Sequence, residues 1–103
     1  MKIWLDDTRK PPDHTWVWMD NAQVVIDALD SNLSIKEVSL DHDLGNEEAY
    51  GNGYQVLAWI EEKVYRDETY VPPHVQIHTA NPVALQKMSA CLTSIRRQLL
   101  KRR

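Results

Sequence analysis

The chain has 103 residues, 43% of them hydrophobic and 26% charged, with a net charge of −3. That length makes one domain, residues 1–103, whose core is large enough to stand without disulfides or a structural metal. The single cysteine, Cys91, excludes an intramolecular disulfide and a cysteine-rich zinc cage. No apolar run approaches the ~18–20 residues of a membrane span, so a cytoplasmic protein without a membrane partner is expected.

Lys2 to Asp6 is short and rich in β-formers, and reads as a strand. Asp7 to His14 carries Pro11-Pro12, which bars a helix interior. Thr15 to Met19 is a second strand. Asp20 or Asn21 caps a helix with Val24, Val25, Ala28 and Leu29 on its apolar face. Lys36 to Leu40 is the third strand. Leu44 to Gly53 is polar and long for a connection, which suits a functional lid, and Gly51-Asn52-Gly53 reads as the turn before the next helix. That helix spans Tyr54 to Tyr65, with Val56, Leu57, Ile60 and Val64 turned inward. His74 to His78 is the fourth strand. Asn81-Pro82 then starts a long helix on which Leu85, Met88, Leu92, Ile95 and Leu99 recur every three or four residues. Cys91 falls in that helix as a core residue.

The order implies a small three-layer α/β domain with a mostly parallel four-stranded sheet. The first connection is too short for a crossover helix, which leaves the direction of the second strand open. Three strands end in polar clusters: Asp6-Asp7, Asp41-His42-Asp43 and His78-Thr79-Ala80-Asn81. Parallel neighbours bring those ends to one edge, where open α/β sheets bind ligands.

Two carboxylates about 4 Å apart repel by roughly 4 kcal/mol at an effective dielectric near 20. A cluster of Asp6, Asp7, Asp41 and Asp43 therefore calls for a cation or a shared proton. An all-oxygen set suits Mg²⁺, Mn²⁺ or Ca²⁺, although Asp also simply favours turns. His42 and His78 are candidate acid and base, since imidazole titrates near neutral pH; a plain hydrogen-bonding role is the other reading. Thr79 and Asn81 open a helix where a phosphate can sit, and Asn81 serves equally as a cap. Arg9 suits a bidentate phosphate contact or a surface ion pair. Trp4, Trp16, Trp18 and Trp59 read as core, with base stacking an option for Trp16 and Trp18.

Charge is uneven along the chain. Arg96, Arg97, Lys101, Arg102 and Arg103 place +5 on the last eight residues, against −8 on the remainder. Such a helix end suits a partner contact or nucleic acid, or it merely complements a helix dipole.

Leu5-Asp6-Asp7-Thr8-Arg9, Ser39-Leu40-Asp41-His42-Asp43-Leu44-Gly45, Gly53-Tyr54 and His78-Thr79-Ala80-Asn81-Pro82-Val83 resemble the cyclic-phosphate-processing receiver-like domains of bacteria and phages. The resemblance covers nearly the whole chain. It implies a receiver-like, flavodoxin-like fold in which Asp6 and Asp7 bind Mg²⁺ or Mn²⁺, Asp41 takes the phosphoacceptor position and Thr79 follows the fourth strand. The chain departs from receivers in lacking the first helix and the fifth strand with its Lys, and in adding His42, Asp43 and His78. The resemblance implies metal-dependent hydrolysis of a cyclic phosphate on a nucleotide or RNA end. Asp6, Asp7, Asp41 and Asp43 would hold the metal, His42 and His78 would move protons beside Asp41, and Arg9, Thr79 and Asn81 would grip the substrate. A receiver-type regulatory domain phosphorylated on Asp41 and a non-catalytic cation-binding module are the alternatives. Oligomeric state is left open.

Overall fold

The computed structural model describes residues 1–31 and 33–102. The elements are β1 (Lys2–Leu5), β2 (Trp16–Met19), α1 (Ala22–Leu29), β3 (Glu37–Leu40), α2 (Glu47–Tyr50), α3 (Gly53–Arg66), β4 (His74–Ile77) and α4 (Pro82–Leu100). The strands form one sheet in the order β2-β1-β3-β4, and every pair is parallel. This is the expected α/β receiver-like class. It also settles β2, which runs parallel to β1 although residues 6–15 join the two without a helix.

Register explains where the core lies. Ile3 pairs with Val17 and Val38, Leu5 with Met19 and Leu40, and Val38 and Leu40 with Val75 and Ile77. Side chains alternate across a strand, so these residues share one face. α1 packs on α3 and α3 on α4, so the three long helices cover that face together. Val56, Leu57, Ile60 and Val64 of α3 are all buried, as their spacing requires. On α4 the buried residues are Ala84, Met88, Cys91 and Ile95, with Leu92 and Leu99 at the margin. Leu85, expected inward, is exposed, and so is Val24 on α1, where Ala22, Val25 and Leu29 do the packing.

The opposite face carries Lys2 and Trp4, Trp16 and Trp18, Ser39 and Gln76. Its cover is loop and aromatic side chain, so the layer expected there is not helical. Trp4 Nε1 donates to the Arg9 carbonyl at 2.8 Å, Trp4 meets Trp16 edge to face with centroids 5.7 Å apart, and the Lys2 ammonium sits 4.4 Å from the Trp16 ring centroid. Pro11-Pro12 in the loop explains why no helix forms there.

Local chemistry fixes the helix starts. Asn21 accepts from Gln23 N and Val24 N and caps α1. Asn52 and Gln55 form a capping box on α3. Asn81 caps α4, with Pro82 in its first turn. At the other end of the molecule, Arg102 donates to the carbonyls of Val64, Asp67 and Tyr70. One cation of the basic terminus thus serves the carbonyl end of α3. Arg103 lies outside the described residues. Among the described residues no helix is long and apolar enough to cross a membrane.

Candidate active site at the carboxyl edge of the sheet

Asp6, Asp41 and His78 are each the first residue beyond a strand, and the backbone ladder extends to them. Asp6 N donates to Met19 O at 3.1 Å, Asp41 N to Leu5 O at 2.9 Å and His78 N to Leu40 O at 2.9 Å. The two-residue alternation therefore puts all three side chains on the face of Trp4 and Ser39.

Asp6 is the hub of this row and is fully buried. Its Oδ1 accepts from Thr8 N and Arg9 N, both at 3.0 Å. Its Oδ2 accepts from Arg9 Nε at 3.1 Å and His78 Nε2 at 3.0 Å. Burial alone raises its pKa, but the two backbone N–H groups, the His78 imidazole and the Arg9 charge outweigh that and hold it below the usual carboxylate range. Asp41 behaves oppositely. Burial and the neighbouring Asp6 charge raise its pKa, against the His42 N–H and Arg9. Ligand atoms of Asp6, Asp7 and Asp41 all lie within 4.8 Å of one another.

Arg9 threads this cluster. Its Nη2 is 3.3 Å from Asp41 Oδ1 and donates to the His78 carbonyl at 2.9 Å, while Nε holds Asp6. The cation beside Asp41 thus comes from the first loop.

The two histidines differ in kind. His78 stacks flat on Trp4, with centroids 3.9 Å apart. Its Nδ1 is 2.8 Å from Ser39 Oγ and its Nε2 faces Asp6. An ionised carboxylate only accepts, so Nε2 carries the proton and Nδ1 accepts from the Ser39 hydroxyl. Burial lowers its pKa, against the attraction of Asp6, and the ring is held neutral with both nitrogens engaged. The Ser39–His78–Asp6 chain has the connectivity of a hydrolytic triad, but Ser39 is 1% exposed and meets no substrate. His42 is arranged differently. Its Nδ1 is 2.8 Å from Asp43 Oδ1, and Nε2 makes no hydrogen bond among the described residues. A carboxylate orienting one ring nitrogen while the other stays free is the pattern of a general base.

The remaining sequence candidates fall around this row. Asp43 stands outside the carboxylate trio; it pairs with His42, bridges to Asn52 and lies 3.4 Å from Asn81 Nδ2. Thr79 Oγ1 accepts from Asn81 N at 3.2 Å. The expected lid, Leu44 to Gly53, is anchored by buried Leu44 and contains the single turn α2. Gly53 packs directly on the Asp41 carbonyl, where a Cβ would lie 1.8 Å from the oxygen. Sequence reasoning missed Ser39, Trp4 as a stacking partner, and Gly53. The alternation that puts Ser39 and Asp41 on one face was a usable signal for the first.

Three carboxylates at this spacing fit a hard, oxygen-seeking cation. Asp7 is exposed, whereas a carboxylate offers about four lone-pair positions and the four bonds to Asp6 fill them. Asp6 therefore ligates only by releasing a donor. A cleft of about 270 Å³ lined by Asp7, Trp18 and Asp20 opens beside the trio, and Trp18 Nε1 donates to the Asp6 carbonyl at 2.8 Å. A larger cavity of about 430 Å³ lies far off, between β4 and the C-terminal half of α4, and is mostly apolar. The titratable groups converge at the rim and not at this cavity. Residues 1–94 match the family described as the cyclic-phosphate processing receiver domain. No curated protein and no solved structure matches the chain significantly.

Proposed function

Because the chain belongs to the cyclic-phosphate processing receiver domain family, we propose that it hydrolyses a cyclic phosphate on a nucleotide or RNA end with the help of Mg²⁺ or Mn²⁺. The observation that carries this reading is the Asp6–Asp7–Asp41 trio, whose Asp41 accepts the His42 N–H at 2.9 Å, next to a His42–Asp43 pair that Asn81 at the start of α4 reaches at 3.4 Å. Bound at the trio, a divalent cation supplies polarisation of the phosphate and a more acidic water. Arg9, the Thr79 hydroxyl and the Asn81 amide hold phosphate oxygens. His42 Nε2 takes the proton of the attacking water as the new P–O bond forms. The ring P–O bond breaks, and its oxygen takes a proton from solvent across the open rim to leave a monoester. Asp43 orients His42, and His78 positions Asp6. The test is a panel of nucleoside cyclic phosphates and cyclic-ended RNA, followed by phosphorus NMR with and without either cation. Metal-dependent conversion to monoesters is expected. Cation binding without turnover would leave a non-catalytic cation-binding module.

A second reading is favoured by the 3.3 Å pair between Arg9 and Asp41, which supplies the cation a phosphoacceptor needs. Stoichiometric modification of Asp41 by a small phosphodonor, seen by intact mass, would put receiver signalling ahead of hydrolysis.

A further inference from the structure

We infer that Arg9 is the resident counter-ion of the carboxylate cluster, and that a divalent cation enters by displacing its guanidinium toward the phosphate. The inference rests on the reading of the rim as a cation-assisted phosphate site. The backbone of Arg9 is pinned at both ends of the residue, its N–H to Asp6 Oδ1 at 3.0 Å and its carbonyl to Trp4 Nε1 at 2.8 Å. The side chain is not confined in the same way, being 49% exposed. Its contacts use Nε and Nη2, and Nη1 makes none among the described residues.

Two facts make exchange necessary. Asp6 has all four acceptor positions filled, one of them by Arg9 Nε, so an incoming ion that takes Asp6 must replace a donor. Arg9 is the replaceable one. The Thr8 and Arg9 N–H groups belong to the turn, and His78 is locked between Trp4 and Ser39. The guanidinium and the ion also repel each other across the same carboxylates. Released from Asp6 and Asp41 but tethered by its backbone, Arg9 stays within side-chain reach of the rim and gains free donors for a phosphate oxygen. Cation and phosphate binding are then coupled through one residue, and such coupling is reciprocal.

The experiment titrates Mn²⁺ alone into the wild type and Arg9→Gln by calorimetry, then inorganic phosphate into each with Mn²⁺ present. Removing the competing charge should tighten Mn²⁺ binding by roughly ten-fold or more and weaken phosphate binding. Equal or weaker Mn²⁺ binding by Arg9→Gln would overturn the inference alone, since Arg9 would then only hold the carboxylates in place. If neither protein binds Mn²⁺, the cation-assisted reading fails and the inference fails with it. Circular dichroism checks that Arg9→Gln is folded. If it is not, Arg9→Lys decides: a point charge cannot span Asp6 and Asp41 as the planar fork does. Tighter Mn²⁺ binding than wild type supports the exchange, and any other result overturns it.

Discussion

Gly53→Ala should be the most damaging single-methyl addition near the rim. Gly53 begins α3 and donates its N–H to His42 O at 3.1 Å. An added Cβ would lie 1.8 Å from Asp41 O, 2.9 Å from Asp41 C and 3.0 Å from Met88 Cε. Carbon contacts are comfortable near 3.5–4.0 Å. The obstructing atoms are backbone, which cannot rotate aside, and fully buried Met88 lies behind. Overpacking costs about 1–3 kcal/mol and occasionally more; a backbone obstacle places this change at about 3 kcal/mol. For a domain of this size that is a fall in melting temperature of roughly 12 °C or more. Gly45→Ala is the control. Its Cβ would have room, with Asp7 Oδ2 at 3.8 Å, but the φ of +81° disfavours a side chain, for a cost of about 1 kcal/mol. Thermal and urea unfolding of both variants measures the difference. A Gly53→Ala protein within about 1 kcal/mol of wild type would refute the reasoning that the Asp41 backbone leaves no room for a Cβ at this position.

Stability should fall on acidification in two stages. His78 has a folded pKa below 6.5 because burial keeps it neutral, so its contribution is complete above 6.5 and is lost as pH drops toward the folded value. Asp6, held below 3.8 by its donors despite burial, contributes fully above 3.8 and loses that contribution as pH falls from there through its lower folded value. Asp41, raised above 3.8 chiefly by burial, works oppositely and regains stability as it protonates. Urea midpoints against pH should show the first decline in the wild type and lose it in His78→Gln; an unchanged profile in that variant would contradict the assignment. The histidines should also separate kinetically. His42→Ala should cost ~10²–10⁴-fold in rate with Mn²⁺ binding intact, whereas His78→Gln should weaken Mn²⁺ binding through Asp6. The reverse pattern would exchange their roles.

Much of the fold was legible because strand and helix signals alternate, and parallel pairing then gathers the strand ends. The Asn81-Pro82 start of α4 and the buried face of α3 follow from local chemistry alone. The direction of β2 was not legible, because a proline-bearing loop without a helix gives no crossover signal. Nor was the gathering of all three long helices on one face, which follows from the lack of any helix in residues 6–15. At the site, the acidic residues and both histidines could be named from the sequence, but their division of labour could not. That depends on Ser39 and Trp4 claiming His78, and on Arg9 folding back onto Asp6 and Asp41. Such partners are chosen by sheet register across long sequence separations, as with Asp6 and His78, which are 72 positions apart.

The most direct test of the central claim is phosphorus NMR of the cyclic-phosphate panel incubated with wild-type protein and Mg²⁺ or Mn²⁺. A cyclic signal replaced by a monoester only when cation is present, and not by His42→Ala, is the result expected. Cyclic signals unchanged across the whole panel with both cations, from a folded protein that binds Mn²⁺, would contradict it.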